Sequence, residues 1–106
     1  MGNLPKPLRT VMYVPANKED WIRKAPKYGS DALILDIEDS VPLNEKSKAR
    51  KNASNLIEEI SLTGVSVFVR VNEIGSGFTQ DDISHAVQKG LYGITLPMVK
   101  SLDDVK

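Results

Sequence analysis

Three short, almost unbroken apolar runs constrain this chain most: Val11-Met12-Tyr13-Val14, Ala32-Leu33-Ile34-Leu35 and Val67-Phe68-Val69. A strand with one wet face alternates apolar and polar residues, so continuous runs fit strands covered on both faces, as in parallel sheets. A weaker fourth run, Gly93-Ile94-Thr95-Leu96, stops at Pro97, which cannot donate to a central ladder. Amphipathic stretches separate the runs. Trp21, Ile22 and Ala25 share one face of a short helix, which Asn17 is placed to cap with Asp20 at its third position. Ala49, Ala53, Leu56, Ile57 and Ile60 form the stripe of a longer helix, with Lys46, Arg50, Lys51, Glu58 and Glu59 on a solvated face. Ile83, Ala86 and Val87 mark a third helix, with Thr79 and Asp82 as its capping pair, and Ser101-Leu102-Asp103-Asp104 repeats that start signal.

The order is β-α-β-α-β-α-β, with a fourth helix begun, and such alternation means parallel strands joined by right-handed crossovers. Two architectures satisfy it: a small doubly wound sheet, or the opening units of a (β/α)8 barrel, which needs ~250 residues in full. The 106 residues suit one domain. Fourteen basic against 14 acidic residues leave no excess for a nucleic-acid partner. Without cysteine there is no disulfide framework or thiolate metal site. No apolar run approaches the ~20 residues of a membrane span, and Met1–Pro7 does not read as a signal peptide. The expectation is a soluble, cytoplasmic protein with no membrane partner.

In either architecture ligands bind beyond the carboxyl ends of the strands. The junctions there are Pro15-Ala16-Asn17, Asp36-Ile37-Glu38-Asp39, Arg70-Val71-Asn72 and Pro97-Met98-Val99-Lys100. Three carboxylates within four residues repel unless a cation or hydrogen-bond donors offset them, and carboxylate and water oxygens are what Mg²⁺ takes as ligands. The plainer alternative is that Asp39 or Ser40 caps the next helix and the other carboxylates are solvated. Arg70 follows an apolar strand, and its guanidinium suits a planar carboxylate bound through two hydrogen bonds. The alternative is an internal Asp–Arg ion pair with no ligand, since structural ion pairs also occupy such positions. Gly75-Ser76-Gly77 lacks the Gly-Lys-Ser/Thr of a phosphate loop. His85 reads as an exposed helix residue, and Trp21 as core packing.

Taken together, these segments resemble the citrate lyase beta-subunit family of the HpcH/HpaI aldolase superfamily. Arg9-Thr10-Val11-Met12-Tyr13-Val14-Pro15-Ala16-Asn17 resembles its opening, and Asp31–Pro42 its second strand and acidic loop. Lys46, Ala49 and Arg50 resemble its Lys…Ala-Arg helix start. Val69-Arg70-Val71-Asn72 resembles its substrate-arginine strand, and Leu96-Pro97 the end of its fourth strand.

The resemblance implies that residues 1–106 are the N-terminal half of one TIM-barrel lyase domain, holding about four β/α units. It implies an Mg²⁺-dependent carbon–carbon lyase that cleaves or forms a hydroxyacyl-CoA thioester such as citryl-CoA, malyl-CoA or citramalyl-CoA. Arg70 would be catalytic and would bind the 2-oxo acid with Asn72. Glu38 and Asp39 would lie near the metal through its waters, and Arg9 would face the CoA nucleotide. The direct metal ligands are expected beyond Lys106. Where the family usually has Leu-Pro-Lys-Val-Glu, this chain has Leu96-Pro97-Met98-Val99-Lys100. By itself the chain is expected to be inactive and to self-associate as a homo-oligomer, because open sheet edges and an inner face with Leu33, Leu35 and Phe68 would be uncovered. Two other readings are a phospho-receiver domain, suggested by Asp31–Asp36, and a non-catalytic assembly unit derived from the lyase fold.

Overall fold

A computed structural model describes residues 10–96. Four strands, β1 (Val11–Pro15), β2 (Ala32–Asp36), β3 (Ser66–Arg70) and β4 (Leu91–Thr95), alternate with helices α1 (Glu19–Lys24), α2 (Lys46–Ser61) and α3 (Thr79–Ala86). Short 3₁₀ turns at Ala25–Tyr28 and Leu43–Glu45 follow α1 and precede α2. All neighbouring strands are parallel, and their spatial order is their chain order, β1-β2-β3-β4. A receiver places its second strand at the sheet edge, outside the first. Here β2 lies between β1 and β3, which overturns the receiver reading.

The register divides the sheet into two faces. Met12, Val14, Leu33, Leu35, Val67 and Val69 meet Ile22, Ala49, Ala53, Leu56, Ile57 and Ile60 of the helices in one core. Burial of side chains this size is worth about 1.5–3 kcal/mol each, so this face fixes which way the sheet turns. Leu33 and Leu35 therefore lie under the helices and not on the open face, because adjacent strand residues point to opposite sides. The open face carries Tyr13, Ile34 and Phe68 in one row. Pro15, Asp36, Arg70 and Thr95 form the next row, at the carboxyl edge. Tyr92 stacks obliquely on Phe68, with ring centroids 5.0 Å apart.

Several local expectations fail. Trp21 is 55% exposed, whereas Ile22 on the same helix and Ala25 at the start of the 3₁₀ turn are buried. α1 starts after Lys18 with no side-chain cap, since Asn17 turns its amide to Glu45. Thr79 and Asp82 do not cap α3: the Thr79 hydroxyl donates to the carbonyls of Asn72 and Glu73, and Asp82 is fully buried. Val87 is exposed, and β4 begins at Leu91, earlier than its apolar run suggested. Neither Asp39 nor Ser40 caps α2, which begins at Lys46. Lys46 and Arg50 are half-buried and bonded instead of solvated. The stripe of α2 is buried as expected. Residues Ser101–Asp104 lie outside the described residues. Among those described, no helix is long and apolar enough to cross a membrane.

Candidate active site

Asp36 ends β2 and Arg70 ends β3 directly opposite it in the parallel register. Their side chains form a side-on bidentate pair: Arg70 Nε donates to Asp36 Oδ1 at 2.9 Å, and Nη2 to Oδ2 at 2.7 Å. Asp36 is almost fully buried and also accepts from the backbone N–H groups of Glu38 and Ser40 and from the Ser40 hydroxyl. Burial alone would push its carboxyl pKa up; the Arg70 bonds, with those of Ser40 and Glu38, outweigh it and hold the pKa well below the usual carboxylate range. Bonding to Asp36 in turn raises the Arg70 pKa. The guanidinium also lies 4.9 Å from the ring centroid of Tyr13, a cation–π distance.

Guanidinium has five N–H groups, and Asp36 takes two. The side-on pair uses Nε and one Nη2 hydrogen, so the far edge, formed by Nη1 and Nη2, still has the geometry to grip a second carboxylate. Glu38 stands beside it, Oε1 3.8 Å from Arg70 Nε. Burial raises the Glu38 pKa; Arg70 pulls it down, while Asp39 and Asp36 push it up. Asp39 itself is exposed.

Arg70 and Glu38 therefore share the carboxyl edge of the sheet, with Asp39 next in the same loop. Asn72 lies two residues beyond Arg70 but is buried, and its side-chain amide donates to Asp82 Oδ2 at 2.6 Å. Arg9, Met98 and Lys100 lie outside the described residues. No group of three or more acidic or histidine side chains among the described residues is arranged to hold a metal ion. Two buried oxygens, Asn17 Oδ1 and Thr95 Oγ1, have no hydrogen-bond partner among the described residues.

Asp36 and Tyr13 are the members of this site that reading by motif undervalued. The signal for both was parity, because Tyr13, Asp36 and Arg70 occupy the same sheet face once the three runs are aligned as parallel strands. His85 is exposed, as expected, and bonds within its own helix.

A parallel β/α sheet in chain order, with an arginine and an acidic loop at its carboxyl edge, has the architecture of a barrel-type α/β protein, in which ligands bind at that edge. The chain belongs to the HpcH/HpaI aldolase/citrate lyase family, which matches residues 9–106. It is 35% identical over 102 residues to human mitochondrial citramalyl-CoA lyase, covering 94% of this chain and 30% of that protein. It is 32% identical over 93 residues to citrate lyase subunit beta of Leuconostoc mesenteroides, covering 88% of this chain and 31% of that one. The crystal structure of protein CitE from Mycobacterium tuberculosis, in complex with magnesium, acetoacetate and coenzyme A, superposes with a TM-score of 0.70 at 26% identity. That superposition covers 90% of this chain and 34% of CitE. The chain thus spans about a third of the length of the relatives it matches.

Proposed function

We propose that this chain forms the first four β/α units of a (β/α)8 lyase domain that cleaves or forms the carbon–carbon bond of a hydroxyacyl-CoA thioester. The observation that carries this reading is Arg70, held side-on by Asp36 at the carboxyl edge of the sheet through Nε and Nη2. On this reading Arg70 takes the carboxylate of the 2-oxo acid and stabilises negative charge on its oxygen. A guanidinium already seated on a buried carboxylate need not reorganise when that charge develops. Tyr13 limits where the guanidinium can move.

The family fold and the magnesium-bound relative support Mg²⁺ as the cofactor. Bound Mg²⁺ would polarise the carbonyl of the oxo acid as a Lewis acid. Glu38 and Asp39 fit a role through water and not as a complete ligand set, because Asp36 is taken by Arg70 and no three acidic or histidine side chains among the described residues are arranged to hold a metal. Asn72, buried with its amide donating to Asp82, is assigned the support of the loop behind Arg70. Arg9 is assigned to the CoA nucleotide by family resemblance alone.

Self-association belongs to the same reading, since β1 is an edge strand and Val11, Tyr13 and Tyr92 are half-exposed on the open face. The test is Mg²⁺-dependent cleavage of citryl-CoA, malyl-CoA and citramalyl-CoA by this chain alone and by a family-length protein that contains it. The expected result is turnover by the longer protein only. No turnover of any of the three by the longer protein would refute the lyase reading.

A further inference from the structure

α2 opens against the usual rules. A cation is disfavoured at a helix N-terminus, yet Lys46 is the first residue of α2 and no acidic residue occupies its first turn. Its N-cap residue, Glu45, makes no capping bond and accepts from Asn17 Nδ2 at 3.0 Å. Departures of this kind collect where function overrides local preference.

The tertiary bonds account for them. Lys46 Nζ donates to three carbonyls of the acidic loop: Ile37 at 3.2 Å, Glu38 at 2.8 Å and Val41 at 3.2 Å. One turn further on, Arg50 Nε donates to Asp82 Oδ1 at 3.0 Å. Asp82 is fully buried, and its Oδ2 accepts from both the backbone N–H and the side-chain amide of Asn72. Asn52 Nδ2 donates to the Ala16 carbonyl at 2.9 Å. The first two turns of α2 thus hold two loops at the carboxyl edge directly, through Lys46 and Asn52, and the segment after β3 indirectly, through Arg50 and Asp82 of α3.

We propose that Lys46 and Arg50 are positioning residues, Lys46 setting where Glu38 stands and Arg50, through Asp82 and Asn72, fixing the segment that follows Arg70. An ammonium bound by three converging carbonyls fixes the turn beyond the last ladder bond of β2, which runs from the Ile37 N–H to the Arg70 carbonyl. A buried carboxylate with three donors is costly to rearrange, so Asn72 is tied in place two residues from the guanidinium. The inference deepens the lyase reading, but its loop-holding part can be tested without it.

The experiment is amide hydrogen exchange on the chain and on Lys46→Met and Arg50→Met, followed by kinetics in the family-length protein. Loss of hydrogen bonds to a charged group, about 1.5–3 kcal/mol, corresponds to roughly tenfold faster exchange or more. Lys46→Met should show this at 38–41 and leave 72 and the strand amides of Leu33–Leu35 unchanged. Arg50→Met should show the reverse selectivity, and Arg50→Lys, which can still give Asp82 a charged donor, should recover most of the protection. If Arg50→Met does not fold, Arg50→Gln, which removes the charge and shortens the side chain, is read against Lys46→Met with the same reverse selectivity expected. Exchange that rises uniformly, or nowhere, would overturn the proposal. In the longer protein each Met variant should lower kcat/KM by roughly 10–100-fold, as loss of outer supporting contacts does, with kcat falling more than KM rises. Unchanged kinetics with selective loop opening would also overturn it. Inactivity of the unmodified longer protein would refute the lyase reading while leaving the exchange result to stand.

Discussion

Arg70 reaches across one strand spacing to seat its guanidinium side-on against Asp36, the residue exactly opposite it in the register of β2 and β3. Two charged groups that would each be costly alone at the end of a buried sheet satisfy one another, and Asp36 leaves the Nη1–Nη2 edge of the arginine unused. Asp36→Asn keeps the shape and removes the charge. It should cost about 1.5–3 kcal/mol, the usual worth of hydrogen bonds to a charged group, measured by urea unfolding at neutral pH.

The same pair sets an acid limit. The folded-state pKa of Asp36 is depressed, so its stabilisation is full above the ordinary aspartate value near 4 and is lost as pH falls towards its folded value. Melting temperature plotted against pH should fall on the acid side for the unmodified chain and fall less steeply for Asp36→Asn. Identical acid limbs would show that Asp36 contributes nothing to the acid sensitivity.

Glu38 acts in the opposite sense. Its folded pKa is raised, first by burial, so its ionisation disfavours the folded state as pH rises through that value. Glu38→Gln should therefore be more stable than the unmodified chain at neutral pH and equal to it below about pH 4, where the glutamate is protonated in both states. A variant that is less stable at pH 7 would show that Arg70 pairing outweighs burial at this residue.

The alternation of apolar runs and amphipathic stretches was enough to read the parallel sheet and the stripe of α2, because both follow from side-chain period. Arg70 and Glu38 were legible as residues just past strand ends. The partners of charged residues were not. Lys46, Arg50 and Asp82 look like ordinary surface or capping residues until the loops fold over α2, and those contacts span up to 32 positions in the chain. Leu33 and Leu35 were misplaced because a run that is apolar throughout does not reveal which residues face the helices. Trp21 was misplaced because it adjoins Ile22 on a helix, where successive residues point about 100° apart, and Ile22 takes the core side.

Gly90 tests the seat between α3 and β4 on α2. Its φ is +99°, and a Cβ there would lie 2.6 Å from Ser61 Oγ and 2.9 Å from Glu58 Cα. Gly90→Ala should cost more than the ~1–2 kcal/mol of a left-handed alanine, seen as a lower urea midpoint. Gly75, also at positive φ but with open space around its Cβ position, should cost only the backbone part.

The most direct measurement is calorimetric titration of pyruvate, with Mg²⁺ present, into the family-length protein that contains this chain and into its Arg70→Lys variant. Lysine keeps the charge and loses the two-bond grip. If Arg70, aimed by Asp36, holds the carboxylate of the oxo acid, affinity falls by roughly 10–100-fold, the worth of about 1.5–3 kcal/mol for hydrogen bonds to a charged group. Equal affinity in the two proteins would contradict that role and leave Arg70 as a structural partner of Asp36.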